Sequence, residues 1–516
     1  MSKRIPLEVV KDQDESFYVS ERKVYPRDVS GRFDRMRKLA VFWLLGMYYL
    51  FPWLSWDGRQ AVLFDLPARK FYVFGLIFWP QDFSLLALLL IVLALTLFFV
   101  TALAGRLWCG YACPQTVWTE CFLWMERWTE GDRIKRMKLD AGPWNREKVL
   151  RKGSKHVLWL FFALWTGFTF VGFFTPIVGL GQRLWPFDWN GAETFWVLFY
   201  ALATWANAGI LREQVCKYMC PYARFQSAMF DNDTLIIAYD PMRGEPRGPR
   251  KRGLPSVLQR ARGLLDLASA YDYVFRASKH PSAAQARLQA AGTVMLGDAG
   301  TEAAPLPKFE PEELGDCIDC TMCVQVCPVG IDIRNGLQYE CIACGACIDA
   351  CDDVMDKVGM PHGLIRYTTQ HALDGGKSRV LRPRIFIYGL LLLGLVGAWA
   401  WSVTHRDTLI VDVLRDRNAL YRQTGDGQIE NDYTLKLVNK NTQPRRYRIS
   451  LGADDTGLRL NGPGTIEAGP EQVLPVVVSV TATEEIQGRR VLHFVVESED
   501  GREKRVIENS FFGPVQ

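Results

Sequence analysis

Apolar residues in this chain gather into long uninterrupted runs before settling, near the C-terminus, into short alternating ones. Residues 83–104, "FSLLALLLIVLALTLFFVTALA", carry no charge over 22 positions. At about 1.5 Å per residue such a helix crosses a hydrocarbon core of roughly 30 Å. Residues 39–56, 157–180, 194–211 and 385–403 hold comparable runs, so the pattern predicts five transmembrane α-helices. Residues 71–79 are apolar but too few to span, and are expected to lie at the interface or to be re-entrant. From residue 404 the period changes. "TLIVDVL", "DYTLKLVN", "RRYRISL", "VLPVVVSV" and "HFVVES" alternate or cluster β-formers between turn signals such as "TGDG" and "NGPG". About a hundred residues of this kind predict an immunoglobulin-like β-sandwich. The chain therefore reads as a multi-domain membrane protein.

Charge adds orientation. The net charge is +5 and 23% of residues are charged, which excludes nothing by itself. Its distribution is informative. Arg32, Arg35, Arg37 and Lys38 precede the first run, residues 106–155 carry eleven Lys and Arg, and Arg379, Arg382 and Arg384 precede the last run. The alternate loops, 57–82 and 181–193, carry three and one. The positive-inside rule then puts the N-terminus, the basic loop and residues 212–384 in the cytoplasm, and residues 404–516 on the other side. Orientation accounts for the basic residues, so no nucleic-acid partner is implied. The polar residues 1–38 do not resemble a cleavable signal peptide. The expected segments are 1–38, a cytoplasmic N-terminal segment; 39–211, a four-helix membrane region with a basic loop at 106–155; and 212–313, a linker. Residues 314–384 follow as a ferredoxin domain, 385–403 as the fifth helix, and 404–516 as the exported domain.

All 13 cysteines precede Asp352, so the exported domain has no disulfide framework. "CIDCTMCVQVCP" and "CIACGACIDAC" each spell C-x2-C-x2-C-x3-C. This is the run of bacterial two-cluster ferredoxins, in which the fourth cysteine of each run ligates the other cluster. Cys317, Cys320, Cys323 and Cys351 are thus predicted to hold one [4Fe–4S] cluster, and Cys341, Cys344, Cys347 and Cys327 the other. Zinc also uses C-x2-C pairs, but the doubled triplet with a fourth cysteine argues against it. Asp352 stands where the first run has Pro328, which alters the turn and leaves the ligands.

Two further cysteine pairs sit where helices leave the apolar runs. "WCGYACP" contains Cys109 and Cys113, and "CKYMCP" contains Cys216 and Cys220. Cysteines four apart share a helical face, while Pro114 and Pro221 favour a break. If the two helices are neighbours, four sulfurs converge, and soft thiolates select Cu(I), zinc or iron–sulfur centres. Arg106, Arg212, Lys217 and Arg224 are expected to favour thiolate over thiol there. Cys121 is read as a packing residue, and His405 as an ordinary interfacial histidine. The six histidines, His156, His280, His362, His371, His405 and His493, all lie outside the interiors of the runs, which disfavours an intramembrane bis-histidine haem. No G-x-G-x-x-G or Walker loop indicates a nucleotide site.

Together "LWCGYACPQTVWTE", "CKYMCPYARFQ", "YDPMRGEPRG" and the doubled cluster motif resemble the FixG/RdxA/CcoG family, accessory proteins for assembly of cbb-type cytochrome c oxidase. The resemblance implies a bacterial inner-membrane protein with a periplasmic C-terminal domain. It also implies two [4Fe–4S] clusters and a cupric reductase activity at Cys109, Cys113, Cys216 and Cys220. Copper would then be the substrate or a bound ion. The partners implied are a cytoplasmic electron donor, a copper-exporting P-type ATPase, oxidase assembly factors and membrane lipid. A copper-binding assembly scaffold with structural clusters and a quinol-linked polyferredoxin are the alternatives. Residues 253–314 exceed the connection expected there; "SVLQRARGLLDLASAYDYVFRAS" suits an amphipathic helix on the membrane surface.

Overall fold

The computed structural model describes residues 23–185, 188–249, 314–416, 419–484 and 486–514. The expected amphipathic helix in the 253–314 segment lies outside them. The chain forms two compact units, Met1–Leu395 and Val396–Gln516.

Among the described residues three helices are long and apolar enough to cross a membrane, where five were expected: Pro80–Ala104, Gly191–Leu211 and Pro383–Thr404. The first and third runs are helical, but only in part. Arg32–Leu50 begins with a charged turn and ends in a 3-10 turn, Phe51–Trp53, at Pro52. Its apolar part from Leu39 therefore rises about 18 Å. Arg146–Val171 spends its first third on charged residues, and Ile177–Gln182 is a separate short helix. Its apolar part from Val157 rises about 22 Å.

The two short spans pack against each other through polar groups. The Tyr48 hydroxyl donates to the Thr166 carbonyl at 2.9 Å, and the Tyr49 and Thr166 hydroxyls are 2.8 Å apart. Gly167 lets the main chain of Gly191–Thr204 come close, since a β-carbon there would stand 2.3 Å from the Val197 carbonyl oxygen. Residues 71–79 do not form a re-entrant helix. They supply Lys70–Val73 and Leu76–Phe78, two strands of an antiparallel sheet with Val62–Asp65.

The basic loop is mostly helical, as Pro114–Glu130, Arg133–Ala141 and the start of Arg146–Val171. Its like charges are compatible because the carboxylates are buried among them. Glu126 meets Arg136 and Arg212, each at 2.9 Å, and Glu130 meets Lys155 at 2.8 Å.

In the ferredoxin region Ile236–Tyr239 pairs antiparallel with Ile365–Thr368, and the Ala346–Val358 helix carries Cys347 and Cys351. This region docks on the first helix. Asp349 accepts hydrogen bonds from the main-chain nitrogens of Phe33 and Asp34, at 3.1 and 2.7 Å. A carboxylate from elsewhere in the chain thereby caps the helix where its first N–H groups lack partners.

The second unit is a sandwich. One sheet runs Leu458–Asn461, Val473–Ala482, Ile429–Asn439, Leu409–Arg415, with Arg422–Gln423 on Ile429–Asn439; the other runs Thr465–Ala468, Arg445–Leu451, Arg489–Ser498, Lys504–Phe512. Alternate residues point inward, so Tyr433, Leu435, Leu437, Tyr447, Ile449, Val478, Phe494, Val496 and Phe511 form one core. His405 stacks on Trp401 with ring centroids 3.6 Å apart, an ordinary packing role.

Candidate functional site

Two cavities divide the ferredoxin cysteines. One is lined by Cys317, Cys320, Cys323 and Cys351, with Tyr239, Met355 and Leu364 in its wall. The other is lined by Cys327, Cys341, Cys344, Cys347 and Cys323, with Ile237, Ile331 and Ile342. The thiols respond to the same neighbours. Burial pushes Cys351 up to about 12, and Cys323, Cys317 and Cys320 add to it. Burial likewise pushes Cys327 up to about 12, with Cys344 and Cys341 adding. Each run thus lends its fourth cysteine to the other's cavity. Four soft sulfurs round an apolar pocket suit a [4Fe–4S] cluster.

The twin motifs share one backbone plan. Cys109 lies in the short helix Leu107–Tyr111, and Cys216 lies in a π-helical turn, Val215–Met219. Cys113 and Cys220 are both extended, with φ/ψ of −64°/129° and −80°/108°, and each is the N-cap of the next helix. Pro114 and Pro221 occupy first helical positions, where a missing N–H costs nothing. The expected shared helical face is therefore corrected: the second cysteine of each pair has already left the helix.

The four sulfurs sense one another. Burial raises Cys109 to about 12, Cys113 adds to this, Arg106 opposes it, and Cys216 and Cys220 contribute further. Cys216 is also pushed up to about 12, first by burial and then by Cys113 and Cys220. At Cys109 and Cys216 burial outweighs Arg106, so these two are thiols in the metal-free protein where thiolates were expected. Arg212 is engaged by Glu126 at 2.9 Å. Among the described residues no three His, Cys, Asp or Glu side chains form a group able to hold a metal ion. The four edge cysteines are neighbours without being a preformed single-ion cage. Cys121 is buried beside Val41, Leu45 and Val117.

The Cys109 helix lies on the second cluster loop. A β-carbon on Gly110 would stand 2.7 Å from the Ile342 carbonyl oxygen, 2.9 Å from the Cys344 Cα and 3.0 Å from the Ala343 carbonyl oxygen. Cys109 itself packs against the Val326, Ile342 and Cys344 cluster of side chains. The loop is braced from three other directions. Arg106 donates to the Tyr339 carbonyl, Arg37 to the Cys344 carbonyl at 3.2 Å, and the Tyr367 hydroxyl to the Ala343 carbonyl at 2.6 Å. On the other cluster motif, Arg243 of "YDPMRGEPRG" reaches Asp316 at 2.5 Å and the His362 carbonyl at 2.8 Å. Sequence reasoning assigned no chemistry to Arg37, Tyr367 or Arg243. The signal for Arg243 lay in a quoted motif, whereas nothing local marked the other two.

Comparison with known proteins agrees with this architecture. Family models match for a 4Fe-4S dicluster domain over residues 211–263 and 299–370 and for a 4Fe-4S binding domain over residues 86–130. A third, for the IG-like fold at the C-terminus of FixG, described as an oxidoreductase, matches residues 399–514. The chain is 36% identical to the nitrogen fixation protein FixG of Rhizobium meliloti, covering 90% of this chain and 87% of that one. It is 38% identical to RdxB of Cereibacter sphaeroides (89% and 88% covered) and 35% identical to RdxA of the same organism (90% and 89% covered). A crystal structure of a FixG-related protein from Vibrio parahaemolyticus matches at 27% identity over 20% of this chain and 96% of that one, with a TM-score of 0.19. With 4Fe-4S domains, a FixG-type C-terminal domain and relatives alike along nine-tenths of its length, the chain belongs to the FixG, RdxA and RdxB family of iron–sulfur oxidoreductases.

Proposed function

We propose that this protein is a membrane cupric reductase that supplies Cu(I) for assembly of a cbb-type oxidase. Cys317, Cys320, Cys323 and Cys351 hold one [4Fe–4S] cluster, and Cys341, Cys344, Cys347 and Cys327 the other. When bound, such clusters supply electrons one at a time. Each Cu(II) takes one electron and leaves as Cu(I), while a low-potential cytoplasmic donor loses one. Cys109, Cys113, Cys216 and Cys220 receive the copper and favour its reduced form. Their thiols give up protons as they bind, so capture weakens in acid. The observation that carries this reading is the direct seating of Gly110, next to Cys109, on the Ile342–Cys344 loop. Copper reduced on this face needs an exporter, which makes a copper-exporting P-type ATPase the natural partner.

The same reading takes the chain across the membrane five times, with the N-terminus and ferredoxin region cytoplasmic and the C-terminal domain periplasmic; contacts within the first unit support the first four crossings. Phe33, at the start of the first helix, bonds Asp349, and Arg106, just past Ala104, bonds Tyr339. Both points are on the ferredoxin side, so Arg32–Leu50 must cross before Phe83 can begin. Gln115 holds the Asn207 and Arg212 carbonyls at 2.8 and 3.1 Å, so the end of Gly191–Leu211 returns to that side too. Arg146–Val171 must then cross as well. Its short apolar part is accommodated by local thinning of the bilayer.

The test is Cu(II) reduction by the purified full-length protein after reduction of its clusters, compared with a variant in which all four edge cysteines are alanine. Wild-type turnover lost in the variant supports the reading, while turnover surviving in the variant removes the edge site from it. A wild type with full clusters and no turnover leaves the assembly-scaffold reading. A second reading rests on the 4Fe-4S binding domain match over residues 86–130, which contains Cys109 and Cys113. On that reading the edge cysteines hold a further cluster. Iron analysis separates the two, since only this reading requires the alanine variant to lose a cluster's worth of iron.

A further inference from the structure

Arg106 is a buried cation held by main-chain carbonyls rather than by a carboxylate. The residue is 4% exposed. One guanidinium nitrogen donates to the carbonyl of Tyr339, two residues before Cys341, and another to the carbonyl of Ala223, just after the Cys220–Pro221 step. Its Nε is buried without a partner among the described residues. The contrast with other buried arginines is direct: Arg136 and Arg212 are both neutralised by Glu126 at 2.9 Å, whereas Arg106 is held by uncharged carbonyls. Arginine keeps its charge in proteins, and a buried charge without an opposite one is costly. Cys341 lies two residues beyond the carbonyl that Arg106 holds, and Cys109 three residues beyond Arg106 itself. Their sulfurs become anionic when they ligate a metal.

We propose that Arg106 is a positioning residue for electron transfer: clamped between the cluster loop and the Cys220 motif, its fixed charge stabilises the added electron on the cluster held by Cys327, Cys341, Cys344 and Cys347. Adding an electron to a thiolate-ligated cluster adds one negative charge, and net charge and nearby donors set its potential. A cation in a water-poor junction acts more strongly than one in solvent. The other cluster, in the cavity lined by Cys317, Cys320, Cys323 and Cys351, has Arg334 beside its cysteines instead. The proposal rests on the reading that these cysteines hold [4Fe–4S] clusters.

The experiment is a potentiometric EPR titration of the full-length protein in detergent, comparing wild type, R106Q and R106K at equal iron content. R106Q is expected to shift one cluster's midpoint to lower potential and leave the other in place, while R106K, which keeps the charge, stays close to wild type. Two unmoved midpoints in R106Q overturn the proposal, as does an equal shift of both. If R106Q does not retain its iron, R106K decides. A fully loaded R106K at wild-type potential supports the charge role. An R106K that loses iron as R106Q does, or that is loaded but shifted down, makes the fork of hydrogen bonds the function and overturns it. A wild type without two cluster signals rejects the underlying cluster reading instead, an outcome distinct from any of these.

Discussion

Gly110 and Cys344 meet main chain to main chain, with room for a hydrogen and none for a methyl group: a β-carbon on Gly110 would lie 2.9 Å from the Cys344 Cα. Ala normally favours a helix over Gly by about 1 kcal/mol. Here that preference is reversed, because the added carbon pushes against the Ile342–Cys344 backbone. G110A is expected to destabilise the fold by about 1–3 kcal/mol, the usual cost of overpacking. It should slow copper reduction while cluster content stays full. Thermal unfolding and the rate of Cu(I) formation per cluster check both parts. A G110A protein as stable and as fast as wild type would show that the loop does not sit on this helix.

The docking of Asp349 on the first helix predicts a second effect. Its carboxylate is buried and accepts from Phe33 and Asp34, so D349A removes a charged cap and leaves two N–H groups without their acceptor. A loss of about 0.5–2 kcal/mol is expected, as for other helix N-caps. The cap joins distant parts of the chain, so the loss should also show as faster proteolysis near residue 31, with cluster content unchanged. D349N, which keeps an acceptor oxygen, is expected to lose less.

The two kinds of legibility in this chain differ for physical reasons. The charge-free run 83–104 and the helix Phe83–Ala104 have the same ends, because a long apolar helix is specified by local composition alone. The doubled cluster motif was equally readable as a 4Fe-4S dicluster domain, which its family model matches over residues 299–370, because its spacing is local chemistry. Cys113 and Cys220 were not, since a proline after a cysteine signals a break without saying whether one helix ends or another begins. The carboxylate partners of the basic loop were not legible. Lys152, Lys155 and Arg136 look like solvated charge in one dimension, and only the folded chain brings Glu126 and Glu130 among them. The strands at 70–78 are too short for a clear two-residue period and pair only through their neighbours.

In the sandwich, Asn439 is fully buried and its amide donates to the carbonyls of Gln443, Ala468 and Gly469 at 3.0, 3.3 and 3.0 Å. Its oxygen accepts from the Asn441 nitrogen at 3.0 Å and the Tyr447 hydroxyl at 3.3 Å. One side chain thus satisfies groups from several loops. N439A leaves these without their partner, each at about 1–3 kcal/mol if water cannot reach it. A net loss of about 3 kcal/mol is expected after relaxation. Calorimetry should show it as a lower transition with no change in iron content. N439D, which keeps the acceptor but loses the amide donors, should fail similarly.

Glu126 is a hub whose charge makes stability depend on pH. Burial alone would raise its pKa, but Arg212, Arg136 and Lys155 reverse this and hold it below the ordinary carboxylate value. A carboxyl with a lowered folded pKa contributes its stability in full above the unfolded value, about 4.3. That contribution is lost as pH falls through the folded pKa. Stability should therefore be flat in this respect from neutrality down to about pH 4 and then decline. E126Q removes both the charge and the titration. At neutral pH it should cost about 3–5 kcal/mol, the penalty for leaving buried cations without their anion. Below about pH 4 the gap to wild type should narrow, because the wild-type carboxyl is then being protonated as well. Unfolding of the two proteins in the same detergent, from about pH 7 to about pH 3, measures that gap directly. A gap that stays constant with pH would mean that Glu126 acts through packing alone, and one that widens in acid would contradict the sign of its pKa shift.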